Sequence, residues 1–158
     1  ESGPDRPGAP VSAKAGRETR PAVLTLSNGE TLRGPLATTR DKPIRVWDDK
    51  AREYRDIPFA LIRTVKARIV WQRDEKEWNF KESGSDIKIY TGKTYPAREL
   101  EYELTLLNGQ TVCGGVVAPI YLIDNDREHL FLLNKRQKGP VGQSLEALLY
   151  VKEIEFSD

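Results

Sequence analysis

The stretch LTLSNGETLRG, beginning at Leu24, returns almost letter for letter as LTLLNGQTVCG, beginning at Leu104. In both copies apolar and polar residues alternate on either side of an Asn-Gly pair. That is the strongest short hairpin signal, because both turn residues tolerate positive φ. A two-residue turn would set Leu24 opposite Arg33 and mix the two faces. A three-residue turn over Ser27-Asn28-Gly29 sets Leu24 opposite Leu32 and keeps the apolar side chains together. The second copy then sets Leu104 opposite Val112 across Leu107-Asn108-Gly109.

The match continues beyond each hairpin. A glycine comes next, Gly34 or Gly114, where a bent strand needs no side chain. Then comes an apolar strand with an acidic turn, IRVW-DDKARE or IYLI-DNDREH. Each copy closes with a short apolar turn and a last strand, FALIRTVKARIV or LEALLYVKEIEF. This order predicts an all-β chain with two small antiparallel barrels, over residues 21–70 and 101–158. Units of that size are marginal alone and gain by packing on each other.

The pattern VLTLSNGETLRGPL, with LIRTVKARI further along, resembles the Sm-like branch of the SH3-like small barrels, and both copies carry it. The resemblance implies a tandem small-barrel fold from an internal repeat. Where RNA-binding members carry an acidic residue and an asparagine, this chain has Arg40 and Ile44, then Ile120 and Asp124. Asp41 and Asn125 are displaced by one residue, which turns a strand side chain to the other face. Nucleic-acid binding is therefore the second reading, through Arg33, Arg40, Arg45 and the NKRQKG run.

Residues 1–20 are rich in Pro and Gly and nearly free of large apolar side chains, which predicts a disordered tether. A tether that starts without Met is expected to succeed a removed leader, which places the protein outside the cytoplasm, periplasmic or secreted. The 25 basic and 24 acidic residues leave a net charge of +1, without the footprint of a dedicated nucleic-acid binder. No run of about 18 apolar residues predicts a membrane span.

Residues 71–100 belong to neither copy and form an aromatic-rich insert with a hairpin. TGKT within it lacks the upstream glycine of a phosphate-binding loop, since that position is Ile87. Its strand-like flanks predict a hairpin tip over Thr91–Thr94, with Tyr90 facing Tyr95. The aromatic and basic residues here, with the basic run after them, give the candidate binding surface: Trp78, Phe80, Tyr90, Lys93, Tyr95, Lys135, Arg136 and Lys138. The competing role for the rings is to glue the insert to the barrels.

The remaining chemistry is sparse. Cys113 and His129 are the single cysteine and histidine, and no activating turn accompanies them, so a packed thiol is expected. Asp124, Asp126 and Glu128 alternate like a calcium loop, but His129 stands where its glycine belongs, so a solvated hairpin tip is expected. No catalytic set, metal set or cofactor motif can be assembled. VVAPIYLI and LFLL are apolar on both faces and call for a covering layer: the insert, the first barrel or a second subunit. The sequence thus predicts a non-catalytic interaction or structural module. Its expected partner is a protein or a cell-envelope component, with self-association through the second copy.

Overall fold

The computed structural model describes residues 18–158, and the chain is all-β. The predicted tether over 1–20 falls largely outside the described residues. Eleven strands run in chain order: β1 Arg20–Leu26, β2 Thr31–Thr38, β3 Ile44–Asp48, β4 Glu53–Ile57, β5 Ile62–Phe80, β6 Lys88–Leu106, β7 Thr111–Gly114, β8 Ala118–Asp124, β9 Arg127–Leu133, β10 Arg136–Lys138 and β11 Val151–Phe156. Strands β3 and β4 form a two-stranded sheet, and the others form a nine-stranded one ordered β10-β6-β5-β11-β1-β2-β8-β9, with β7 on β6.

Both repeated hairpins have the expected turn and register. Leu24 pairs with Leu32, and Leu104 with Val112. Across each turn the first strand's last amide bonds to the residue beyond the glycine, Leu26 to Glu30 and Leu106 to Gln110, both at 2.8 Å. Gly29 and Gly109 hold φ of 93° and 90°, the left-handed conformation that favours glycine. Asn28 and Asn108 stabilise their turns locally, each accepting a hydrogen bond at 2.9 Å from the amide two residues on.

Neither sheet closes into a barrel, so the expected pair of closed barrels is not what these strands form. Apart from the hairpins and the pairing of β10 with β6, the ladders join one copy to the other. The closing strand of the first copy, β5, pairs with β6, the first strand of the second. The closing strand of the second copy, β11, pairs with β1, the first strand of the first. The two closing strands then pair with each other. One ladder results: Leu32, Leu24, Ile154, Val65, Leu104 and Val112 lie side by side across six strands. All except Leu32 are buried, and they belong to one core cluster drawn from both copies.

The third strands are exchanged in the same way. Strand β2 pairs with β8 of the other copy. Strand β3 meets the end of β7, where Trp47 N donates to Gly115 O at 2.9 Å and Asp49 N to Cys113 O at 3.1 Å. Gly34 and Gly114 mark these two crossings. A Cβ on Gly34 would sit 2.2 Å from the Ile123 carbonyl oxygen, and one on Gly114 1.5 Å from that of Trp47. Each glycine therefore makes room for the third strand of the other copy.

The layer predicted to cover the second copy is partial. Ala37 and Ile123 form a small second cluster with Tyr121 packed on it. On β9, Leu130 and Leu132 remain exposed. The acidic stretch at 124–128 is a two-residue turn between β8 and β9, with Asn125 and Asp126 both at positive φ. Among the described residues no helix is long and apolar enough to cross a membrane.

Candidate binding surface on the strand arm

Strands β5 and β6 have 19 residues each and pair along nearly their whole length. Their inner halves lie in the sheet, flanked by β11 at Thr64–Lys66 and by β7 at Tyr102–Thr105. Further out, β10 straps onto β6 by pairing Arg136–Lys138 with Glu99–Ala97. The strap continues through Gly139 N to Pro96 O and Gly142 N to Thr94 O, both 2.9 Å. Beyond it the two strands run on alone as a largely exposed arm, turning over Glu82–Ser85 with Lys81 N bonded to Ile87 O at 2.8 Å.

The turn corrects the expectation for TGKT. Thr91–Thr94 lies inside β6, and Tyr90 faces Trp78 while Tyr95 faces Glu75. Gly92, at φ 84°, serves a bulge between the pairs Lys76–Thr94 and Trp78–Tyr90. The Ser-Gly-Ser run at 83–85 supplies the turn instead, and Thr91 is held to the opposite strand by donating to Glu77 Oε1 at 2.9 Å.

Three of the predicted aromatic residues cluster near the end of the arm. Trp78 and Phe80 meet edge to face with centroids 4.9 Å apart. Tyr90 lies across from Trp78, and Lys88 Nζ sits 4.4 Å from the centre of the Trp78 ring. Phe80 and Tyr90 do not glue the insert to the body, being more than half exposed at 53% and 58%.

The predicted basic run divides. Lys138 lies over the Tyr95 ring at 5.3 Å, so strap and arm share one groove of about 430 Å³ lined by Glu77, Trp78, Asn79, Tyr95, Lys138 and Val141 among others. Arg136 sits beside Glu99 at 3.3 Å, on the neighbouring stretch with Trp71. Lys135 points elsewhere, into a cleft of about 540 Å³ with Arg45, Trp47, Tyr54, Gly115 and Val117. Lys93 lies in the bulge, its amide bonded to Thr91 Oγ1 at 3.2 Å.

A buried arginine anchors this arrangement. Arg98 is 4% exposed and donates to Gln72 and Gln137 side chains and to the Leu145 and Leu148 carbonyls, with its guanidinium over the Tyr150 ring at 4.7 Å. Burial pushes its pKa down, since these four acceptors are all neutral. Four bonds from one residue tie the strap and the 145–150 loop to the base of the arm. Nothing in the sequence set this arginine apart from the others. Val141 and Pro140 were missed for a similar reason, because only the pairing of β10 brings them to the groove.

The single cysteine and the single histidine lie on different strands. Cys113 faces Glu103 across β6 and β7, with its sulfur 3.8 Å from a carboxylate oxygen. Burial pushes the thiol pKa up, and Glu103 adds to the rise, the reverse of what a nucleophile requires. His129 lies on β9 opposite Leu122, stacked on Phe131. Strands β7 and β9 do not pair. Among the described residues no three His, Cys, Asp or Glu side chains gather as metal ligands.

Comparison with protein-family models, curated proteins and solved structures finds no match.

Proposed function

We propose that the protein is a non-catalytic interaction module that holds a partner protein on its arm. The observation carrying this reading is the solvent-facing Trp78–Phe80–Tyr90 cluster beside the Tyr95–Lys138 groove. A two-stranded ribbon is marginal in water and contributes little to a core, so its large aromatic side chains pack only on one another and on Lys88 and leave apolar surface facing solvent. Aromatic residues flanked by cations are the side chains that dominate protein-binding surfaces. The charge balance also favours a protein over nucleic acid. Arg73, Lys76, Lys81, Lys88 and Lys93 alternate with Asp74, Glu75, Glu77, Glu82 and Asp86. A photo-crosslinking residue at exposed Asn79 should capture a partner protein from native extract, and one at exposed Glu155 should not. Equal capture at both positions would remove this reading.

A second reading, nucleic-acid binding, is favoured by the cleft that gathers Arg45 and Lys135 with Trp47 and Tyr54. Stacking rings between cations suit a single strand. Against it, Arg45 already sits over Tyr54 and beside Asp56 at 3.3 Å. On the leading reading, single-stranded RNA binds no tighter than ~10⁻⁴ M at physiological salt. Sub-micromolar binding that Arg45→Gln and Lys135→Gln weaken would reverse the order.

We also read the chain as a duplicated SH3/Sm-like small-barrel unit with exchanged strands. The matched registers of β1–β2 and β6–β7, and the paired glycines at the crossings, support it.

A further inference from the structure

Strand β3 crosses from the first copy onto the second, and two clefts open along that seam. One, of about 540 Å³, is lined by Trp47, Tyr54 and Lys135 among others, and the second, of about 400 Å³, by Thr38, Lys42 and Asp56 among others. Arg45 and Val117 line both, so the two form one trough. Each part is the size of a small-ligand site. The strand period builds it. Arg45 and Trp47 are alternate residues of β3, and their partners on β4 are Asp56 and Tyr54, so all four side chains share one face. The bridge from Val46 to Val116 and the bond from Trp47 N to Gly115 O, 2.9 Å, hold β3 against the second copy.

The trough is cationic, partly apolar and short of one hydrogen bond. Among the described residues Lys42 and Lys135 are in no ion pair, and Arg45 is matched by Asp56 at 3.3 Å. Asp49 feels the Lys135 charge but lines a neighbouring cleft. The Lys135 stem lies across Gly115, where a Cβ would sit 3.1 Å from its Cδ, so the glycine gives that lysine its path into the trough. The apolar part is open to solvent, with Tyr54 60% and Val117 65% exposed. Thr38 is 3% exposed, and its Oγ1 has no hydrogen-bond partner. A buried hydroxyl left unpaired costs stability until a partner bonds it.

We propose that this trough binds an acidic polysaccharide, a chain of sugar rings carrying carboxylates. The carboxylates meet Lys42, Arg45 and Lys135, the flat C–H face of one sugar lies on Tyr54, and a sugar hydroxyl bonds Thr38. Nucleic acid brings the same sign of charge, but its bases ask for successive ring platforms. Trp47 and Tyr54 meet at 74°, edge to face, so they offer no such row. A sugar needs only one ring, and Tyr54 stays exposed even with the Arg45 guanidinium over it at 5.0 Å. The trough shares no lining residue with the groove on the arm, so either can be occupied without the other.

The test titrates the full chain calorimetrically, at physiological salt, with an oligogalacturonate, with its neutral galactose counterpart and with single-stranded RNA. The oligogalacturonate should bind, and the other two should bind at least about tenfold more weakly. Lys42→Gln with Lys135→Gln should weaken it by at least about tenfold. Tyr54→Ala leaves every charge in place and should weaken it about threefold or more. Thr38→Val should weaken it about three- to tenfold while Tm holds or rises, because an unpaired buried hydroxyl is removed with little change of shape. No binding, or equal binding of the neutral sugar, would overturn the proposal. So would affinity indifferent to Tyr54→Ala, which is attraction of charge alone, or indifferent to Thr38→Val. RNA binding tighter than the oligogalacturonate would overturn it too and give the trough to nucleic acid.

Discussion

Gly34 and Gly114 carry more of the fold than the turn glycines that advertise it. Gly29 and Gly109 are needed for their φ, and nothing lies within 4 Å of where a side chain would begin. At Gly34 and Gly114 the obstacle is another strand's backbone, which cannot swing aside as a flexible side chain can. Ala at either should cost about 3 kcal/mol or more in denaturant unfolding, near the upper end of what overpacking costs. Val at Gly29 or Gly109 should cost about 1–3 kcal/mol, from strain alone. Equal losses at the four sites would contradict the crossings. Tyr102 gives a second test of a single residue. It is 1% exposed, and burial pushes its hydroxyl pKa up to about 12 from 10.0. The fold holds that proton more tightly than the unfolded chain, so this contribution is complete below pH 10 and declines as pH rises towards 12. Tyr102→Phe should be flatter than the parent over about pH 10–12 by roughly 2–3 kcal/mol. Parallel curves would contradict that burial.

Among the strands, hairpins were legible and their partners were not. Ser27-Asn28-Gly29 fixes its own geometry through contacts a few residues apart, so local chemistry was sufficient to place Leu24 against Leu32. Which closing strand covers β1 is a different problem. Val65 and Ile154 are both apolar residues centred in alternating strands, so either satisfies the register. The connection settles it: β5 turns directly into β6 at the arm tip, making their pairing the local one. Strand β1 is then left for β11. The same local turn explains the misplaced TGKT, since Ser-Gly-Ser competes for the tip and wins. The candidate surface was half legible for that reason. Its aromatic residues stood out by composition, but Lys138 joins them only because β10 pairs with β6, and Lys135 leaves for another cleft. Replacing residues 77–93 by Asn-Gly, between the paired Lys76 and Thr94, should remove the binding surface while moving Tm by less than about 4 °C. Loss of cooperative melting in that variant would show that the arm belongs to the core.

Across the molecule, two copies of one sequence pattern share a single core. Each copy supplies its own hairpins, and almost every other pairing joins one copy to the other. The buried guanidinium of Arg20 adds a closing contact. It makes a two-toothed pair with Asp158, 138 positions away, and packs on Phe156 at 4.1 Å. The Arg20 hydrogen bonds hold the Asp158 carboxyl below the usual carboxylate range, so its stabilisation is present above about pH 4 and is lost as acid protonates it. Arg20→Gln should cost about 1.5–3 kcal/mol at neutral pH and less in acid. If neither copy folds without the other, cutting the chain at the arm tip will show it. Residues 1–83 and 84–158 would be made separately and melted alone, then mixed, with circular dichroism as the readout. Neither half alone should give a cooperative transition, and equimolar mixing should restore one transition at the parent's temperature. A cooperative melt from either half alone, or two separate transitions in the intact chain, would show instead that each copy has a core of its own.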